Sequence, residues 1–517
     1  MSLAELKENL DIRSGKKEAL FNFQMPELGK IQIYHRSIQH CEDNVYFMAK
    51  AGSEKNLYIL CSRMNKTQKF EGSFTGDQSN GLSLKKCPLN IANRKALQEL
   101  FKFTRPVLIG LKNSFGFGDR IGEANAGHLR ALGKSDIFPV LAQQSIRELT
   151  RTGRSADEVM DAAVWAVFQE GYTRGFGADA DHLKTTYDID MLVKAGFVMF
   201  TFDPGEFVNN EADNLGQNEL IQVLLGYPWN ELNDSLANAK LRYLKKSVNI
   251  NKKLKIKPSE IDILRAYAKY GRSLAHVKKL HDHLKYKYQN YESQVEISVD
   301  ETEAVTSIFE HYFISKELHR LGVKYTSLAP RFVGDFEKGI DYKGDLKLFE
   351  KEYKKHAAVA DYFGDYKISL HSGSDKFSIY KVVAKLKKAA IHIKTAGTSY
   401  LEVLKVVALN EPALFRSILD FSKMHYDTEK KSYLVSADIK NVKNSSEYSD
   451  EDLFSLFNSN DVRQILHVTY GKVLSERTDN GAFMFKEKII DCLKRNEEVH
   501  YELLIKHFKK HLRPFKL

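Results

Sequence analysis

The residues best suited to chemistry lie in GFGADADHLKTTY, Gly175 to Tyr187, where a carboxylate and an imidazole stand side by side at Asp181 and His182. An imidazole offers a neutral nitrogen to a divalent metal, and an adjacent carboxylate can ligate the ion, orient a ligand or move a proton. The same letters also suit a helix N-terminus, with Asp179 or Asp181 as its cap. Other runs in the chain bear on that choice.

In VEISVDE (295–301), alternation puts Val295, Ile297 and Val299 on one face and Glu296, Ser298 and Asp300 on the other. Carboxylates turned inward need a metal, a cation or a proton, because an unpaired buried charge is costly. A structural ion pair with a lysine such as Lys394 also meets that need. His371 ends the alternating run KISLH, and with His182 it makes a two-imidazole metal set. Arg331, Lys376 and Lys394 close successive runs, and cations gathered there suit a carboxylate or phosphate on a substrate. They also suit neutralisation of the inward acids.

All of these residues follow short apolar runs that end in small and polar residues. The runs are PVLIGLKNSFGFGDR (106–120), IFPVLAQQS (137–145), GFGADADHLKT (175–185) and FVMFTFDPGE (197–206). Next come QVEISVDETE (294–303), KYTSLAPRF (324–332), KISLHSGSDK (367–376) and AIHIKTAGTSYLE (390–402). Eight strands, most followed by a helical pattern, predict an α/β fold, a (β/α)8 TIM-type barrel with its site at the carboxyl ends of the strands.

Around the barrel (101–420) the sequence predicts three additions. Residues 1–100 read as a β-rich accessory region, with alternation in KIQIYHR, NVYFMAKA, NLYILCSR and KFEGSF. A helical insertion is expected at about 209–291, and a mostly helical extension at 421–517. Within the extension, DVRQILHVTYG (461–471) is placed either to close over the barrel mouth or simply to pack as a helix. FGFGDRIG and TAGTS offer small residues for a phosphate, without a complete GxGxxG.

A chain of 517 residues exceeds an ordinary single domain, and its net charge of +11 raises the question of nucleic acid. The excess sits in Lys240–Lys257 and Lys278–Lys287, which read as solvated helical faces, so no nucleic-acid partner is expected. Cys41, Cys61, Cys87 and Cys492 show no CxxC spacing, and no signal-like or membrane-length apolar run occurs. The expectation is a cytoplasmic protein with reduced thiols and no membrane contact.

GADADHLKT, EISVDETE, SLAPRFVGDFEKGIDY, SLHSGSDKFS and HIKTAGTSYLE together resemble the tagaturonate epimerase family, over about Leu108 to Tyr470. That family interconverts D-fructuronate and D-tagaturonate in hexuronate catabolism. The resemblance implies a barrel isomerase that needs a divalent metal and acts on an anionic sugar. It implies Asp181 as proton acceptor, Glu296 as proton donor, His182 and His371 as metal ligands, and Glu337 as the third ligand with Asp300 in reserve. Such ligands suit Zn, Mn, Ni, Co and Fe alike.

The two sugars differ at C4, which is β to the ketone, so α-deprotonation does not invert it. Retro-aldol cleavage of C3–C4 does, given a base, a Lewis acid and an acid for the return. Two other functions fit the same letters: a different metal-dependent sugar isomerase, epimerase or aldolase on the barrel, and a basic nucleic-acid-binding protein.

Overall fold

The computed structural model describes residues 2–13, 20–25, 29–62, 67–75, 81–245, 247–386 and 390–515. Near the N-terminus, alternation yields an antiparallel sheet. Its strands are β1 (Leu20–Met25), β2 (Gly29–Tyr34), β3 (Gln39–Cys41), β4 (Asn44–Ala51), β5 (Glu54–Cys61), β6 (Ser73–Phe74) and β7 (Ser83–Cys87). Three of the four predicted runs supply β2, β4 and β5, with His35 and Arg36 in a 3-10 turn after β2 and Arg63 outside the described residues; of KFEGSF only Ser73 and Phe74 form a strand, β6. Period two sorts the side chains: Phe47, Tyr58 and Leu60 pack with Leu3, Leu6 and Leu10 of the first helix. Met48, Leu57 and Ile59 point the other way and join the barrel core.

All eight predicted runs form strands, and the strands close into one parallel barrel. They are β8 (Ser114–Phe117), β9 (Phe138–Ser145), β10 (Gly177–Leu183) and β11 (Met199–Phe202), followed by β14 (Gln294–Val299), β15 (Ser327–Pro330), β16 (Lys367–Leu370) and β17 (Ile391–Thr395). Closure comes from β17 pairing with β8, with Lys394 opposite Gly116.

The basic insertion departs from the prediction in two ways. The run Lys240–Lys257 is not one helix: a helix ends at Leu244, and a hairpin follows, β12 (Val248–Asn251) and β13 (Leu254–Ile256). The Asn251 Oδ1 accepts the amides of Lys253 and Leu254 and makes the turn, as asparagine does when its side chain competes for the backbone. The helix Glu260–Lys287 buries Leu264, Tyr267 and Leu274 and packs between the helices Thr186–Ala195 and Ile308–Arg320. It therefore serves as the barrel's outer helix after β11. Several of its basic residues are paired, Lys278 with Asp282 and Lys287 with Asp190.

The C-terminal region is helical, as predicted, and its helix Glu497–Leu512 lies against the barrel helix Asn125–Leu132. Glu497 is buried and accepts hydrogen bonds from Lys50 Nζ at 2.7 Å, Tyr34 Oη at 2.7 Å and Tyr501 Oη at 2.6 Å, and it pairs with Lys55. One carboxylate thus ties β2, β4 and β5 to the last long helix. Among the described residues no helix is long and apolar enough to cross a membrane.

Candidate active site

Asp179 and Asp181 are two residues apart on β10 and share its inward face. Strict alternation would send His182 outward. Instead the pairing of β10 with β11 slips between Ala180 and Leu183, and His182 adopts a left-handed backbone at φ 55°. Such a conformation disfavours a side chain and persists where the surroundings impose it. Here it turns the ring into the cavity, where Nδ1 lies 2.8 Å from Asp181 Oδ1 and the ring centroid 5.1 Å from that of His371.

Lys394, from β17, is the hub below. Its Nζ donates to Asp181 Oδ1 at 2.7 Å and Thr201 Oγ1 at 2.6 Å, and it pairs by charge with Asp179 Oδ2 and Glu296 Oε1, each at 2.7 Å. The ion pair read as an alternative from the sequence is present. Glu296 also accepts Ser327 Oγ at 2.6 Å and faces His371 Nε2 at 2.8 Å. The other nitrogen of His371 lies 3.0 Å from Asp300 Oδ1.

Burial would neutralise all these acids, and the cations oppose it unevenly. Burial wins at Asp179, lifting its carboxyl to about 6 against the pull of Lys394. At Asp181, His182 and Lys394 overcome burial and hold the carboxyl well below its usual range, and Lys394 with His371 does the same for Glu296. Against burial, Asp181 raises His182 to about 10, and Asp300 raises His371 to about 9. The site holds three carboxylates, Asp179, Asp181 and Glu296, around Lys394 and a fourth, Asp300, on His371, and it draws positive charge onto its imidazoles.

That deficit and the donor set fit a divalent cation. Ligand atoms of His182, Asp300 and His371 all lie within 4.8 Å of one another. They border an inner cavity of about 70 Å³, which opens past Asp300, Lys338 and His371 into an outer cleft of about 630 Å³.

Three nominated residues lie elsewhere. Glu337 is not with the imidazoles: it accepts Ser436 Oγ and Gln464 Nε2, each at 2.7 Å, and Lys343 Nζ at 3.0 Å. Asp300, the reserve, takes the place beside the two histidines. Lys376 is fully buried, with Nζ on the carbonyls of Glu337, Ile340 and Ser374, so it supports a loop and lines neither the inner cavity nor the outer cleft. Arg331 lines the outer cleft, its guanidinium on the Thr302 carbonyl.

The amides that FGFGDRIG would offer a phosphate are already taken. Asp119 of FGFGDRIG itself takes the amides of Ile121, Gly122 and Ala124. Gly397 of TAGTS passes under His467, whose ring leaves no room for a Cβ. His467 lines the inner cavity, so the run 461–471 does reach the barrel mouth.

Sequence reasoning missed Asp179 as an inward acid, although its spacing from Asp181 carries that signal. It also missed three residues of the cavity wall: Lys338 and Tyr433, which sit in loops without periodicity, and Arg147, in the first turn of the short helix Ile146–Thr152.

The family model described as UxaE, tagaturonate epimerase, matches residues 34–515. A tagaturonate/fructuronate epimerase of Thermotoga maritima is 41% identical over 483 residues, 93% of this chain and 96% of that protein. The native crystal structure of the fructuronate-tagaturonate epimerase of Cohnella laeviribosi is 36% identical, with a TM-score of 0.86 over 99% of each chain. A two-glycerol complex of that enzyme gives 36% identity and a TM-score of 0.87 over 94% of this chain and 96% of that one. With sequence and fold matched across nearly the whole length, this chain belongs to the tagaturonate epimerase family.

Proposed function

We propose that the protein interconverts D-fructuronate and D-tagaturonate by inversion at C4, with a divalent cation held by His182, His371 and Asp300. The observation that carries this is Lys394 joining two ionised carboxylates, Asp181 and Glu296, directly beneath that ligand set, in a chain of this family. A cation bound there supplies positive charge for the ketone oxygen as negative charge builds on it.

The chain's own residues handle the proton. Asp181 removes the C4 hydroxyl proton as C3–C4 breaks, and the bonding pair passes to C3 and the C2 oxygen. The three-carbon aldehyde turns, and C3 attacks its other face. The new C4 oxygen then needs a proton. Both carboxylates begin ionised, and Lys394 contacts each at 2.7 Å, so it can accept the proton from Asp181 while handing its own to Glu296. Glu296 delivers it to the C4 oxygen, and the starting protonation state is restored.

His371 is aligned for its role by Glu296, which takes Nε2–H and leaves Nδ1 toward Asp300 and His182. The reaction suits a reducing cytoplasm, a placement supported by the free, buried thiols of Cys61, Cys87 and Cys492.

The test is conversion of D-fructuronate by protein stripped with chelator and re-supplied with single metals, beside His182→Ala. Metal-restored formation of tagaturonate, absent in the variant, is expected. Full activity after verified metal removal would sink the metal role, and no conversion with any metal would sink the substrate.

A further inference from the structure

A hexuronate carries a carboxylate that a neutral ketohexose lacks, and the site must hold it. Four cationic side chains line the inner cavity. Lys394 is committed to three carboxylates. Arg120 donates Nε to Glu148 Oε1 at 2.8 Å, and Arg147 lies 3.6 Å from Glu301 Oε1. Lys338 differs. Its Nζ donates to a hydroxyl, Ser372 Oγ at 2.7 Å, and among the described residues no carboxylate lies within ion-pair distance of it.

Lys338 is also held in place rather than left on a loose loop. Its amide donates to the Leu434 carbonyl at 3.2 Å. On one side Glu337 is fixed by Ser436, Gln464 and Lys343, and beneath the loop the buried Lys376 binds the Glu337 and Ile340 carbonyls. The half-buried ammonium borders both the inner cavity and the outer cleft, on the path a ligand takes inward. A fixed cation without an acid partner at the mouth of an otherwise acid-rich pocket is a receptor for an anionic group.

We infer that Lys338 binds the substrate carboxylate and sets the preference for sugar acids over neutral sugars, an inference that rests on the epimerase function proposed above. Glu337 and Lys376 then act as positioning residues for it.

The experiment is calorimetric titration of D-fructuronate and D-fructose into metal-loaded wild type, Lys338→Met and Lys338→Arg. Metal content and melting temperature are checked to match. Loss of one charge-assisted contact is expected to weaken fructuronate binding on the order of 10- to 100-fold in Lys338→Met. Lys338→Arg should stay within a few-fold of wild type, and fructose affinity should not move. Unchanged fructuronate affinity in Lys338→Met overturns the assignment, as does failure of Lys338→Arg to restore it or an equal loss for both sugars. Wild type that neither binds nor converts fructuronate would sink the proposed function and this inference together; conversion by wild type with an unaffected Lys338→Met would sink this inference alone.

Discussion

Among the described residues two clusters combine two histidines with an aspartate: His182, His371 and Asp300 at the barrel mouth, and Asp375 with His507 and His511 of the helix Glu497–Leu512. Their donor atoms are alike, and their surroundings are opposite. In the second, Arg463 already pairs with Asp375, and the Asp375 amide donates into His511 Nε2 at 3.2 Å. His507 bridges Asp375 at 2.6 Å and Glu402 at 3.1 Å, and Lys405 balances Glu402. Every acid there has a resident cation, and the cluster is sealed. At the mouth, one lysine serves three carboxylates, the fourth, Asp300, faces His371, and the metal-ligand set borders a cavity. A metal site is thus distinguished less by its ligands than by what the protein leaves uncompensated beside them.

The sharpest way to break this comparison is to remove a ligand from each cluster. Asp300→Ala should lose bound metal and, with it, activity by a factor on the order of 10³ or more. Glu337→Gln should keep the metal. Equal metal loss in the two would restore Glu337 as a ligand. In the sealed cluster, Asp375→Ala should destabilise the fold by about 3–5 kcal/mol, through unpaired Arg463, while the metal-to-protein ratio stays unchanged.

Arg463→Met sharpens the contrast: with the resident cation gone, the sealed cluster should take up a second equivalent of Zn, read by elemental analysis. A ratio that stays at wild type would show that neutralisation is not what closes the site.

A smaller effect concerns pH. Against burial, Lys55 and Lys50 hold Glu497 well below its ordinary value. A depressed carboxylate adds stability that is complete above the unfolded value of about 4.3 and is lost as pH falls below it. Thermal melts from pH 7 to pH 3 should show that loss in wild type, and a shallower slope in Glu497→Gln.

Much of this was legible in the letters because barrel chemistry follows strand periodicity. Alternation placed Glu296, Asp300 and His371 inward, and all eight strands carried the apolar runs that such a fold needs. His182 was found by its type rather than its place, since a period of two points it the wrong way and a slipped register with a left-handed residue corrects it. Lys376 misled for a related reason: residues that end a strand run share a neighbourhood, yet loop geometry decides which face the cavity; Glu337 was implied by the resemblance alone, and its loop holds it away from the imidazoles. Lys338 stands next to Glu337 in the chain, and nothing in the sequence separates the one that lines the cavity from the one that holds the loop. The basic hairpin was hidden because lysine-rich text carries little helical or strand signal of its own.

The Glu497 junction has a consequence for how the chain is made. Lys50 precedes its carboxylate by 447 residues. At about 5–20 residues per second, a ribosome needs roughly 20–90 s to supply that partner. Through that interval Lys50 lacks its buried counter-charge, and until the last barrel strand at Thr395 is made the face bearing Met48, Leu57 and Ile59 has no finished barrel to cover it. The nascent N-terminal sheet is therefore the segment on which chaperones should act longest, and messages truncated ahead of the last helix should yield aggregates rather than a partly active enzyme.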